Sequence, residues 1–396
     1  MKKTLFLILF IINCSLLIAH DFGILLDQNA GYGGIGAESG FDYAGALVPR
    51  FTLLLENGEL YASASVTAEY QNEAWIFAPE LLRTEVLLSF GNKGLMAGRM
   101  QYADPLGLIA DGLFDGAQFF FDTDAGIFSA GAWYTGLLYR QRANIAMTGE
   151  EIEAYGEALD WDDLSGTYFA PRRLLWALGW EHPALNEFIR AQLSLLGQFD
   201  VTEKNGLHSQ YLSARAAAPL GAFALELGGA LALLQQGGQW EGIALAGELG
   251  AAWAPSTPFD SRLSFLGRFS SGRFEDTQMR AFAPLSTGLQ GDILKARLPG
   301  LSMLSLNYLA RLHRTLAAGL SAACFIRSDK GSYTENADAN GGYVLGTEFF
   351  GQASWSPVSD LQLNLGAGAF LPSLGDAEPD ADTIWRLELN MVFSLY

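Results

Sequence analysis

The sequence predicts an all-β chain, a single membrane-spanning antiparallel up-and-down barrel of about 18 strands, within roughly 16 to 20. Three observations predict it: apolar and polar residues alternate in segment after segment, aromatic residues gather near the segment ends, and an apolar leader precedes them all. Composition agrees. Charged residues are 17% and hydrophobic residues 50% of 396 residues, too few charges for an ordinary soluble chain and too much apolar content for disorder. The formal charge of −19, from 24 basic and 43 acidic residues, excludes a nucleic-acid partner, because phosphate binding needs a dense cationic face.

The leader comes first. Lys2 and Lys3 form a positive start, Leu5 through Ile12 an apolar stretch, and Ile18, Ala19 and His20 a processing region before Asp21. Residues 1–19 are therefore expected to be a cleaved signal peptide and 20–396 the exported barrel domain. Cys14 is a poor lipidation site because Leu16, Leu17 and Ile18 follow it where a polar tether belongs. With Cys14 removed, only Cys324 remains, so neither a disulfide framework nor a cysteine-rich metal site is expected.

A membrane helix is the competing way to cross a bilayer. Residues 216–234 are long enough and carry one charge, but Pro219, Gly221, Gly228 and Gly229 interrupt them and Glu226 sits at the centre. A turn followed by a strand fits better, with Phe223, Leu225 and Leu227 on one face and Glu226 on the other. The same alternation recurs. Leu60, Ala62, Ala64, Val66, Ala68 and Tyr70 oppose Ser63, Ser65, Thr67 and Glu69. Ile189, Ala191, Leu193, Leu195 and Phe199 oppose Arg190, Gln192, Ser194 and Gln198. Trp385, Leu387, Leu389, Met391, Phe393 and Leu395 oppose Arg386, Glu388, Asn390 and Ser394.

Strands are expected at 22–32, 48–57, 60–70, 81–90, 94–101, 114–122, 126–139, 173–181, 187–199, 208–218, 222–234, 241–253, 259–270, 300–312, 315–327, 342–356, 361–371 and 384–396. Short turns rich in Gly, Pro, Asn and Asp fall at 57–58, 91–94, 122–126, 182–186, 219–221, 254–258, 313–314 and 356–360. Every second connection is longer, with long external loops near 103–113, 140–172, 271–299 and 328–341, and 271–299 has room for a further hairpin. Both termini then lie on the periplasmic side. Soluble β-sandwiches also alternate, but on shorter strands. Tyr70, Phe90, Trp180, Phe188, Trp253, Phe269, Tyr308 and Trp355 sit near strand ends as membrane-interface girdles do.

On these residues the chain resembles outer-membrane β-barrel proteins of diderm bacteria, and by size the porin-like channels of about 16 to 18 strands. The segment from Ala97 through Gly98, Arg99, Met100 and Gln101 to Tyr102, with Asp115 to Phe121 after it, is similar to the Gly-Arg-Gln hairpin of substrate-specific carbohydrate and carboxylate porins. Met100 stands where that motif has Gln. The chain also departs from the class at its last residue, since Tyr396 is one position out of phase with Phe393 and Leu395. The resemblance implies an outer-membrane location, lipid as a partner, and the barrel-assembly machinery during biogenesis; it leaves the oligomeric state open.

A barrel of this width holds water, a plug or infolded loops. The loop 103–113 is unusually apolar and is expected to turn inward, with Asp104, Asp111 and Asp115 facing lumen arginines across a constriction. Expected pore-lining residues are Arg83, Arg99, Arg190, Arg262, Arg268 and Arg386 with Glu69, Glu85, Glu226, Glu348 and Glu388. One reading makes the arginines a ladder for anionic or hydroxyl-rich solutes. The blander one pairs Arg with Glu across neighbouring strands to keep the wall polar. In the loop 140–172, Thr148 and Glu151 form a capping box that predicts a short helix, as a lid or a packed cover. Its acids match no calcium-loop spacing, and no cofactor or metal is expected.

Catalysis is not expected. His182, His208 and His313 stand without a supported nucleophile, and neither a Gly-x-Ser-x-Gly nor a His-Glu-x-x-His motif occurs. The leading expectation is a channel for passive diffusion of small hydrophilic solutes. A surface adhesin or structural barrel with a closed lumen is the first alternative, and a transporter of hydrophobic ligands the second.

Overall fold

A computed structural model describes residues 21–71, 74–202, 206–274, 277–286, 288–330 and 341–395. The proposed leader 1–19, most of the loop 328–341 and Tyr396 lie outside them. Eighteen strands run in order: β1 (Asp21–Ile35), β2 (Glu38–Leu55), β3 (Gly58–Gln71), β4 (Ala74–Phe90), β5 (Lys93–Ala103), β6 (Asp111–Thr123), β7 (Gly126–Tyr134), β8 (Arg173–Leu185) and β9 (Ile189–Asp200). The second half continues with β10 (Leu207–Leu220), β11 (Phe223–Gln236), β12 (Gln239–Trp253), β13 (Arg262–Ser270), β14 (Leu301–His313), β15 (Leu316–Arg327), β16 (Val344–Val358), β17 (Leu361–Leu371) and β18 (Ile384–Leu395). Each pairs antiparallel with its sequence neighbours, and β18 returns to β1 from Ile24 opposite Leu395 to Ile35 opposite Ile384, closing one sheet with no free edge. No helix among the described residues is long and apolar enough to cross a membrane.

Connections from even- to odd-numbered strands lie at one end and none exceeds the stretch 254–261; the long ones, 135–172, 271–300, 328–343 and 372–383, all lie at the other. The strand count matches the sequence reading, but several boundaries differ. The first two strands run on to a tight turn at Gly36 (φ 59) instead of leaving a loop at 33–47. Gly33, Gly34, Ser39 and Gly40 carry too little side chain to show alternation, so their strand character is invisible in the pattern. β4 starts at Ala74 and not 81, β7 stops at Tyr134 and not 139, and 271–299 adds no strand hairpin.

The two faces separate as the alternation requires. Leu227, Leu320 and Leu365 are 63%, 67% and 57% exposed on the outside, with Phe77, Phe128, Phe349 and Trp355 in the same phase. Ser63, Ser65, Thr67, Ser194 and Gln198 are buried on the inside. The interior is not uniformly polar, however. On β8 to β12 the inward residues Leu175, Ala177, Leu196, Ala230, Ala232, Leu234, Ala244 and Ala246 are buried and apolar, because loops pack onto them.

Candidate pore and constriction

The tip of the β5–β6 hairpin builds the first infolded element. β5 pairs with β4 only as far as Arg99 opposite Thr84; beyond it the hairpin parts from the wall. Met100, Leu106, Leu108, Ile109, Ala110 and Phe114 then bury themselves against the inner wall. At the wall Gly228 leaves room for Leu106, for a Cβ there would stand 2.1 Å from its Cδ2. Asp104 fixes the tip: its carboxylate accepts from the backbone N–H of Leu106 (3.0 Å), Ile109 (2.8 Å) and Ala110 (2.9 Å). Burial still holds that carboxyl above the usual range, although the three donors pull it down.

Two other loops meet this tip. Leu285 and Ser286 both donate their N–H to the Ile109 carbonyl, Asp111 donates its own to the Ser286 carbonyl at 2.8 Å, and the Ser286 hydroxyl donates to the Ala143 carbonyl at 2.9 Å. Segments 104–111, 143–145 and 282–286 thus form one plate inside the barrel. The loop 135–172 covers it and contains the predicted helix, Gly149–Tyr155, with both halves of the capping box between Thr148 and Glu151 in place. Glu151 also accepts from Arg173, a fully buried wall residue that Asp200 and Gln198 also satisfy. Sequence reading missed Arg173, and its only signal was a charge at the start of an otherwise apolar strand.

The predicted residues divide into three groups. Arg83 with Glu85, Arg190 with Glu181, Arg268 with Glu248, and Arg386 with Asp42 and Glu388 lie on inner faces as ion pairs, and Glu226 pairs with Arg215 there. Glu69 stands half-buried on the inner face of β3, and Arg262 is exposed at the turn end of β13 with no ion pair among the described residues. Burial, together with the carboxylates Glu69 and Glu80, pushes the Tyr139 hydroxyl up to about 12.

Three expectations need correction. Arg99 does not line open lumen: it is 7% exposed, holds Asp115 through two bonds of 2.8 Å, and donates to the carbonyls of Leu81 and Leu137. In the strand alternation Arg99 and Asp115 share the phase of Phe119, on the side away from Met100 and Phe114, so they clamp the bend of the hairpin. Asp104 and Asp111 do not face arginines across a gap, since Asp104 caps its own loop and Asp111 accepts from Gln101 at 2.8 Å. Glu348 is inward-facing but buried beneath a loop. In each case a backbone N–H or a neighbouring side chain competes for the carboxylate, and period-2 reasoning cannot see it.

The inner wall around the β18–β1 seam is polar. Asn390 donates to Asp27 (2.7 Å), Asn364 to Asn390 (3.0 Å), and Gln362 to Asn364 (3.0 Å) and Ser354 (3.1 Å), giving an amide ladder across β16, β17, β18 and β1. Arg386 grips Asp42 through both terminal nitrogens at 2.9 and 2.8 Å. Strands β1 to β4 supply no residue to either buried apolar cluster among the described residues.

Comparison with solved structures places this architecture. The chain is similar to Pseudomonas aeruginosa OccK5 (OpdH), with a TM-score of 0.63 at 12% identity over 96% of this chain and 99% of that one. It is also similar to P. aeruginosa OccK2 (OpdF) in complex with glucuronate, with a TM-score of 0.59 at 11% identity over 94% and 95% of the two chains. P. aeruginosa OpdK with vanillate gives 0.59 at 12% over 96% and 99%. No protein-family model and no curated protein sequence matches the chain. At such identities the likeness is one of fold, and it bears out the closed antiparallel barrel of about 18 strands that alternation and girdles predicted.

Proposed function

We propose that the chain is an outer-membrane channel through which small hydrophilic solutes diffuse passively. The observation that carries this reading is the asymmetry of the interior: a loop plate fills the side of β5 to β12, while β18 and β1 to β4 give no buried residue to either apolar cluster among the described residues and Asp27, Asp42, Arg386 and Asn390 stay partly exposed. Water follows the second side. The leader 1–19 would export the chain, the barrel-assembly machinery would insert it, and the long loops would lie outside with both termini in the periplasm. The chain is read as a non-enzyme.

A preference for anionic or hydroxyl-rich solutes is the finer part of the proposal. Two of the similar structures hold carboxylates, glucuronate and vanillate. Here most inner-wall arginines are neutralised by acids, so any preference is mild and comes from guanidinium donors that keep water-facing edges, such as those of Arg83 and Arg190, whose side chains are 45% and 57% exposed. In planar bilayers the refolded protein is expected to give discrete conductance steps, with glucuronate lowering the current more than glucosamine. Folded protein that stays silent would favour the closed adhesin or structural barrel.

A further inference from the structure

The inner wall of β13 to β17 carries a second infolded segment, 290–298, which packs on its own cluster through Ile293 and Ala296 and meets the plate at Leu298. Its turn is closed by mutual backbone bonds between Gln290 and Ala296, of 2.7 and 2.9 Å, with Gly291 at φ 84. A side chain on Gly291 would stand 2.6 Å from the Phe325 ring and 2.8 Å from Glu348, so the backbone lies directly on the wall there. Ile293 and Ala296 bury themselves with Leu301, Met303, Phe325, Phe350 and Phe370. Beneath them Glu348, 2% exposed, accepts from three consecutive backbone N–H groups: Asp292 at 2.7 Å, Ile293 at 2.9 Å and Leu294 at 2.9 Å.

The contrast with other wall acids is what singles out Glu348. Glu85, Glu181, Glu226, Glu248 and Asp42 each have an arginine partner on the wall. Glu348 has no cationic partner among the described residues, and a buried carboxylate is tolerable without one only if strong donors surround it. Those donors belong to the loop. We propose that Glu348 is a positioning residue that sets the bore by latching 290–298 inside the barrel; the bore part of this inference rests on the channel reading above. Without the latch, the centre of the segment loses three charge-assisted bonds and keeps only its apolar contacts there, while Arg268 to Gln290 and Ser270 to Leu298 still hold its ends, so the middle exchanges between docked and released states.

Two readouts test it on the refolded full-length protein, with folding checked by heat-modifiable gel mobility. The first is trypsin cleavage at Lys295 and Arg297, since the protease is too large to enter the barrel and cuts only a segment that has swung out. Glu348→Gln keeps the shape but turns one acceptor into a donor, and is expected to speed cleavage about tenfold or more. The second is conductance: Glu348→Gln should add a larger, noisier level, replacing 288–297 by a short Gly-Ser link should make that level permanent, and Glu348→Gln on the shortened background should change nothing further. Wild-type cleavage rates in folded Glu348→Gln, or an equal conductance increment on both backgrounds, would overturn the latch. If the wild type never conducts, the channel reading falls, and cleavage still decides whether Glu348 holds the segment. Should Glu348→Gln fail to fold, Leu294→Pro removes one donor from the loop side and is expected to speed cleavage in the same way.

Discussion

The wall of β8 to β12 and the wall formed by β17, β18, β1 and β2 carry the same period-2 alternation, yet their inner faces have opposite chemistry. The first turns Ala230, Ala232, Ala244 and Ala246 toward an apolar plate of loops; the second turns Asp27, Asp42, Arg386 and Asn390 toward water. In a barrel the outer face answers to lipid everywhere, whereas the inner face answers to whatever occupies the lumen at that place. Small inward residues mark where a loop lies; a run of amides and partly exposed ion pairs marks where no loop lies.

Five substitutions break or sharpen this contrast. The largest effect is expected at Arg99→Gln, which leaves Asp115 and two carbonyls without their donor at a buried bend and costs about 3–5 kcal/mol in urea-driven unfolding from lipid vesicles. A loss within about 1 kcal/mol would show that the hairpin bend holds without its clamp. Leu227→Arg, on the outer face, is expected to cost about 2–4 kcal/mol in vesicles and far less in detergent. Equal losses in both media would mean that this face does not touch acyl chains.

Ala244→Asn places an amide under the plate and should cost about 1–3 kcal/mol, while Ala46→Asn on the polar wall should stay within about 0.5. Equal costs would erase the distinction between the two walls. Arg386→Gln should change stability by less than about 1 kcal/mol, because its pair with Asp42 is partly solvated. Its effect is expected in the reversal potential under a salt gradient, which should shift toward cations. An unshifted potential would take the ion path away from β18.

Much of this architecture was readable in the residues. Turn chemistry at sites such as Gly91, Pro219 and Gly221 separated the strands, and the Leu, Phe and Trp rows fixed the outer face. The inward turn of the β5–β6 tip was signalled by Leu106, Leu108 and Ile109, apolar residues with no reason to meet solvent. What escaped is what depends on long-range partners. Nothing local tells that Glu348 meets three N–H groups from a loop some 55 positions away, or that β5 leaves β4 at Arg99. Alternation assigns a face; it does not tell what stands opposite that face.

The seam between the first and last strands has one more consequence. Arg386 and Asp42 are 344 positions apart in sequence, and Asn390 and Asp27 are 363 apart. Loop-closure entropy makes such contacts the last to form, so the cylinder zips shut at the moment this polar seam is completed. An intermediate lacking only β18 would be an open trough whose carboxylates confront acyl chains, which gives the final hairpin a penalty for delay as well as a reward for docking.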